Sequence, residues 1–340
     1  MSAILGWDIG GAHVKAARVE DGVVVAAAQL PCSPHQGLGE LEATLRAMRD
    51  RMGSAARHAV TMTAELSDAF ADRQRGVVSI AAIFAHEIAS EALFYAGAKG
   101  FVEKPDVAAA AAAIASANWR APAELLAQRI ESALLIDMGS TTTDLILVRG
   151  GAVAAKGDDD ASRLAAGELV YTGLLRGDPA MGVSLAPIDG HWTGFVGEHF
   201  ASMADVRRLT GDLSAQTEML PTADGRSKSV EDTRARLARL VGRDTQNGTP
   251  RQWDALAQFF ARAQMRRIED AVALIASREP AALTAPIVGA GIGRGVIAAF
   301  AKREGRDYRE FGKFLPVAPD AASLATDCAP ACAVALLARK

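Results

Sequence analysis

At 340 residues, half of them hydrophobic (50%) and 23% charged, the chain has room for about two domains and a sizeable core. A net charge of −3 argues against nucleic-acid binding as the main function, while phosphorylated small molecules stay open, because a metal and backbone dipoles can supply local positive field. No apolar run reaches the roughly 18 to 20 residues of a membrane span and the chain opens on a core strand, so cytoplasm, with no secretory leader and no membrane partner, is the expectation.

The first predicted elements are apolar strands at Ala3 to Trp7 and Val14 to Val19, joined by the loop Asp8-Ile9-Gly10-Gly11. Glycines there let backbone N–H groups approach a phosphate, and a carboxylate at the strand end can hold hydrated Mg²⁺ against it. Lys15, seven positions after Asp8, adds a point charge for the same anion. Gly22 to Leu30 completes a three-stranded antiparallel meander. Leu41, Leu45 and Met48 give helical spacing over Gly39 to Met52, Ala59 to Thr63 reads as a strand, Asp72 to Ile88 as a helix and Ala92 to Ala96 as a strand. Pro105 suits the first turn of a small-residue helix, Val107 to Ala117, closed by Asn118 and an aromatic plug, Trp119.

From Ser132 the pattern repeats. The strand Ala133 to Ile136, the loop Asp137-Met138-Gly139-Ser140-Thr141-Thr142-Thr143-Asp144, the strand Leu145 to Val148 and a third strand over Gly151 to Lys156 form an internal repeat of architecture. One Asp-x-Gly-Gly turn also suits an ordinary hairpin, but two such loops between apolar strands favour paired phosphate binding. Pro179 to Thr193 is turn-rich, and Ser214 to Thr249 is polar with a helix near Glu231 to Val241. Trp253 to Ser277 is a long amphipathic helix with Arg262, Arg266 and Arg267 on its solvated side. The strand Ala285 to Val288 leads into Gly289-Ala290-Gly291-Ile292-Gly293 and the helix Arg294 to Lys302, a turn that lets a ligand approach the backbone but lacks the following βα units of a dinucleotide fold. The chain ends in a small-residue helix, Cys328 to Ala338. Cys32, Cys328 and Cys332 make no disulfide framework and read as small buried core residues, and the six histidines form no cluster for zinc.

In this order the elements resemble the actin, hexokinase and heat-shock-chaperone superfamily: two phosphate loops, an adenosine motif at Val288 to Gly293, and two connecting helices, Pro105 to Ala117 and Cys328 to Leu337. The resemblance implies an α/β fold of two actin-like (ribonuclease H-like) lobes with duplicated mixed sheets, 1–130 and 131–340, the last helix at about 327–339 crossing back between them. Within that superfamily the chain is similar to the hydantoinase/oxoprolinase branch, and more closely to a short group linked to tetrahydromethanopterin-dependent one-carbon metabolism. The residues that carry this are Thr61 to Asp68 with Arg73 and Gly76-Val77, Ser116 to Trp119, Gly167 to Gly173, Glu198 to Ala201 with Asp205-Val206, and Thr222 to Gly225.

That resemblance implies a transferase of methanofuran or methylofuran biosynthesis, coupling an aminomethylfuran diphosphate to the phenol of γ-glutamyl-tyramine with release of diphosphate. It implies Mg²⁺ at Asp8 and Asp137, and diphosphate held by Lys15, Gly10, Gly11, Gly139, Ser140, Thr141 and Thr142, with Asp144 in the same loop. Glu65, Asp68 and Glu168 are candidate bases for the phenol. Gly289, Gly291 and Gly293 would cradle adenosine or the organic part of the substrates, so ATP is admitted but not required. An ATP-dependent small-molecule kinase, a hydantoinase-type amidohydrolase and, last, a nucleotide-gated scaffold are the alternatives. Oligomeric state, homo-oligomers included, is left open.

Overall fold

The computed structural model describes residues 3–34, 37–214 and 217–339; within the polar stretch from Ser214 to Thr249, Ala215 and Gln216 lie outside the described residues. Two six-stranded sheets are built on one plan. In the first, β1 (Ile4–Ile9) pairs antiparallel with β2 (His13–Glu20) and parallel with β4 (Arg57–Met62). β3 (Val23–Pro31) extends the β2 side, and β5 (Ala92–Tyr95) and β6 (Phe101–Glu103) extend the other. In the second, β7 (Ser132–Met138) pairs antiparallel with β8 (Thr143–Arg149) and parallel with β13 (Ile287–Ala290). β14 (Tyr308–Glu310) lies beyond β13, and the short β9 (Ala152–Val153) and β10 (Leu169–Val170) pair with β8. Because β1 and β7 are central and covered on both faces, their sequences are nearly continuous apolar runs.

Helices α1 (Leu38–Met52), α2 (Arg73–Glu87) and α3 (Val107–Ile114) cover one face of the first sheet around Trp7, Met62, Phe84 and Phe94. α4 (Arg120–Ala127) and α11 (Ala329–Leu337) occupy the layer between the sheets, in one apolar cluster with Ala17 and Val19 of the first and Leu135, Val148 and Val288 of the second. α8 (Pro250–Arg278) and α9 (Arg294–Arg303) cover the other face of the second sheet. α6 (Met203–Leu209), α7 (Val230–Leu240) and the hairpin β11 (Ala186–Ile188) to β12 (His191–Thr193) form a separate small core with the first half of α8. α5 (Asp160–Ala166) packs against β10 and α8, and α10 (Ala322–Asp327) against β3 and α11. Among the described residues no single helix is long and apolar enough to cross a membrane.

Several expectations change in the fold. The helix from Val107 stops at Ile114, not Ala117, because Ala115 leaves the helical region with ψ 125° and Ser116 then turns left-handed with φ +51°. The third strand of the second meander shrinks to Ala152–Val153, since the amides of Lys156 and Gly157 donate to the Glu168 carboxylate instead of a strand. Trp119 is indeed a buried plug, but its ring also carries a cation: the Arg163 guanidinium sits 4.0 Å from the ring centroid. Arg262 and Arg266 are exposed, whereas Arg267 turns in to donate to the Tyr171 carbonyl at 3.1 Å. All three cysteines are buried, and the thiols of Cys328 and Cys332 donate to the carbonyls of Ala28 and Ala325.

Candidate active site

The two hairpin loops open on one cleft of about 460 Å³ between the lobes. In each hairpin the residue seven places on lies directly across the strand pair, so Asp8 sits opposite Lys15 and Asp137 opposite Asp144. Gly10 N donates to His13 O at 3.0 Å and Gly139 N to Thr142 O at 2.9 Å, closing the turns. The segment after β10 is latched along the second loop: the amides of Leu175 and Arg176 both donate to Ser140 O, at 3.1 and 2.9 Å. Gly173 is required there, because a Cβ would stand 2.5 Å from the Ser140 and Thr141 backbone. Gln264 of α8 secures this segment from below, donating at 2.7 Å to both Thr172 Oγ1 and Gly173 O.

The electrostatics of this end favour anions held with a cation. Burial pushes Asp8 up to about 6, against the opposing pull of Lys15, and pushes Asp137 up to about 7, with Asp144, Asp8 and Asp327 adding repulsion. Burial disfavours the Lys15 charge, but the surrounding carboxylates outweigh it and raise its pKa; Nζ donates to Asp327 O at 3.0 Å. Asp144 is ion-paired to Arg163 at 2.9 Å and Asp327 to Arg294, whereas Asp8 and Asp137 feel the Lys15 charge without a direct ion pair among the described residues. Asp8 Oδ1 is buried without a donor among the described residues. This pair fits a hydrated divalent cation that completes its shell with substrate oxygens; among the described residues no three His, Cys, Asp or Glu side chains converge to hold a metal alone. His13, lowered to about 4 by burial and then by Lys15 and Arg176, presents a neutral ring whose Nε2 is also unpartnered.

A stability test follows from these directions. Unfolded, the two aspartates ionise near 3.8, whereas in the fold they keep protons to about 6 and 7. Above pH 4 the native state therefore binds more protons than the unfolded chain, and stability falls as the pH rises through those values. His13 works in the opposite sense, but only below about 6.5. Metal-free protein is expected to melt several degrees lower at about pH 8 than at about pH 6, and Asp137→Asn to raise the pH 8 melting temperature and narrow that gap. Thermal melts in chelator check this; an Asn variant no more stable than wild type at pH 8 contradicts it.

Ser116, Asp160 and Tyr171 line the wall of the same cleft. Behind them Glu65 is 1% exposed; its Oε1 accepts from Ser116 Oγ at 2.7 Å, and its Oε2 has no partner among the described residues. Burial pushes Glu65 up to about 7, with the Ser116 hydrogen bond and Arg73 opposing and Asp160 adding to the rise. Arg73 from α2 is ion-paired with Asp160.

Gly10, Gly11, Lys15, Asp68, Gly139, Ser140, Thr141, Thr142 and Asp144 thus line one cleft with Asp8, with Asp137 nearly buried at the root of the second loop and Glu65 one layer behind the wall. Glu168 does not belong to it: its carboxylate accepts from Lys156 N and Gly157 N and pairs with Arg278 at 2.7 Å, so it ties a loop to α8. Nor do Gly289, Gly291 and Gly293 line the cleft. A Cβ on Gly289 would strike the Tyr308 ring, on Gly291 the Asp137 carboxylate, and on Gly293 the Met138 side chain, so this turn is filled from within by the Asp137-Met138 segment and β14. Sequence reasoning missed His13, Asp160, Arg163, Tyr171 and Arg176, which line the cleft, and gave Ser116 and Asn118 no role. His13 and Arg176 carried the weak signal of basic residues close to a glycine loop or its flanking motif. The motif residues Asp205 and Asp224 instead hold the buried Arg236, at 2.8 and 3.1 Å, inside the second lobe.

The family model described as hydantoinase/oxoprolinase matches residues 57–337. The (4-{4-[2-(gamma-L-glutamylamino)ethyl]phenoxymethyl}furan-2-yl)methanamine synthase of Methanocaldococcus jannaschii is 30% identical over 243 residues, 71% of this chain and 72% of that protein. The protein of the same name from Methanococcus vannielii is 29% identical over 123 residues, 36% of this chain and 55% of the relative. Among solved structures, nucleotide-free acetone carboxylase superposes with a TM-score of 0.55 at 11% identity, covering 97% of this chain and 70% of that one, a likeness of fold. The architecture is accordingly the two-lobed actin-like α/β fold.

Proposed function

The chain belongs to the hydantoinase/oxoprolinase family, and from that premise we propose that it makes an aryl furfuryl ether, joining an aminomethylfuran diphosphate to the phenol of γ-glutamyl-tyramine with loss of diphosphate. One observation carries the reading: a single cleft of about 460 Å³, within the usual range for small-molecule sites, is lined by both glycine-containing loops and by Ser116, behind which lies a buried carboxylate with one oxygen unpartnered among the described residues.

The chemistry asks mainly for positioning and charge. As the furfuryl carbon–oxygen bond breaks, its electron pair leaves with diphosphate and the furan ring stabilises the positive charge left on carbon. The amides of Gly11 and Ser140, the Thr141 and Thr142 hydroxyls, Lys15 and Arg176 bind the departing oxygens, whose charge grows in the transition state, while the Gly10 and Gly139 amides hold the turns closed. Asp8 and Asp137 would hold Mg²⁺, which when bound would neutralise more of that charge. Beside Ser116 the phenol is oriented for attack, and Glu65 takes its proton; the phenol's ordinary pKa of about 10 makes such a base useful. ATP has no step in this reaction.

The test supplies the purified protein with both substrates and Mg²⁺ but no nucleotide, and follows diphosphate release and ether formation by mass spectrometry. Ether and diphosphate in equal amounts are expected. ATP consumption with phosphorylation or hydrolysis of a substrate, and no ether, would sink the proposal in favour of a kinase or amidohydrolase.

A further inference from the structure

Glu65 has no direct route to a substrate, since it lies behind the cleft wall that Ser116 and Asp160 form. The Ser116 hydroxyl bridges the gap: Oγ is 2.7 Å from Glu65 Oε1 and 3.3 Å from Asp160 Oδ2. A hydroxyl has one proton to donate, and the shorter contact directs it to Glu65, leaving lone pairs for a group in the cleft. Its backbone is unusual as well. Ser116, Asp21 and Asp189 are the non-glycine residues with positive φ among the described residues, and the left-handed region is more costly for serine than for aspartate. Such a conformation persists only where surrounding contacts enforce it, here at the end of α3 where Ala115 bridges to Met62.

We propose that Ser116 is the catalytic residue that touches the acceptor phenol and relays its proton to Glu65, with Asp160, fixed by Arg73, beside it in the cleft wall. This rests on the coupling reaction proposed above. As the phenol oxygen bonds to the furfuryl carbon and diphosphate departs with its electron pair, the phenol proton passes to Ser116 Oγ while the Ser116 proton passes to Glu65 Oε1. Ser116 ends unchanged, and Glu65 holds one proton that it later returns to water. The groups that face Glu65 are Ser116, Arg73, Asp160 and, more weakly coupled, Tyr171; burial outweighs them to hold it up to about 7, where it can both accept and release a proton near neutral pH.

Ser116→Ala, Ser116→Gly and Glu65→Gln test the relay through kcat for ether formation between about pH 5.5 and 9. The glycine variant suits the left-handed backbone and keeps the test valid where alanine fails to fold. Wild-type kcat is expected to rise through about pH 7. Each variant should lose about 10²-fold in kcat and also lose that rise, with KM and diphosphate affinity nearly unchanged, and Ser116→Gly with Glu65→Gln should be no slower than either alone. A purely structural Ser116 would move KM and melting temperature but leave the pH profile intact, which overturns the relay. Wild-type protein that makes no ether overturns the coupling reaction and the relay with it, whereas ether formation at full rate by Ser116→Gly overturns the relay only.

Discussion

Asp8→Asn is expected to lower ether formation and diphosphate release on the order of 10³-fold, with the loss mainly in kcat. Asp8 is the last residue but one of β1, opposite Lys15, with one carboxylate oxygen unpartnered among the described residues. Asparagine keeps the shape and removes the negative charge that a cation and Lys15 both require. The lost interaction is one that strengthens as charge moves onto the departing diphosphate, so ground-state binding should suffer less than turnover. The same substitution relieves repulsion with Asp137, so the metal-free variant should melt no lower than wild type at about pH 8. Steady-state kinetics with a parallel melt decide it: a variant within about fivefold of wild type contradicts the assignment of Asp8, and a loss of activity accompanied by unfolding would point to a structural role.

Gly6→Ala is expected to destabilise the protein by about 3 kcal/mol or more and lower the melting temperature by about 5 °C or more, without touching the cleft. Gly6 lies in β1, bonded on one side to β2 and on the other to β4, so the strand cannot retreat. α11 rests directly on it: an added Cβ would overlap the Ala331 carbonyl oxygen and stand 2.8 Å from Ala335 Cβ and 2.9 Å from its amide nitrogen. α11 in turn packs against α4 and both sheets, so lifting it opens the apolar layer between the lobes. Gly11→Ala is the control for stability, since its Cβ would meet nothing within 4 Å. Equal melting temperatures for the two variants would show that the inter-sheet layer yields more easily than this packing implies.

The resemblance to hydantoinase and oxoprolinase proteins, read from scattered motifs, agrees with a family match over residues 57–337, and the repeated meander agrees with the two parallel plans of the sheets. Those features were legible because they are local. A loop that must admit a phosphate needs glycines and a carboxylate within a few residues of each other, and antiparallel pairing around a hairpin makes a seven-residue interval a statement about neighbours in space. The small-residue helix at the end of the chain was legible for a similar reason, since alanines without polar partners imply cover on every side.

What the tertiary structure decided depends on residues distant in sequence. Glu65, Ser116 and Asp160 meet across 51 and 44 residues, and no spacing along the chain distinguishes Glu65, which ends beside an open cleft, from Glu168, whose carboxylate is used up by two backbone amides and Arg278. Gly289, Gly291 and Gly293 have the composition of a ligand turn, yet Tyr308 and the Asp137-Met138 loop occupy the space their missing side chains leave. The amino-acid sequence by itself determined the two glycine-turn hairpins and the duplicated α/β plan, because backbone conformation and strand pairing act over short intervals. Which carboxylate faces the cleft, and which glycines serve packing instead of a ligand, were settled only when side chains from different elements competed for the same space and the same hydrogen bonds.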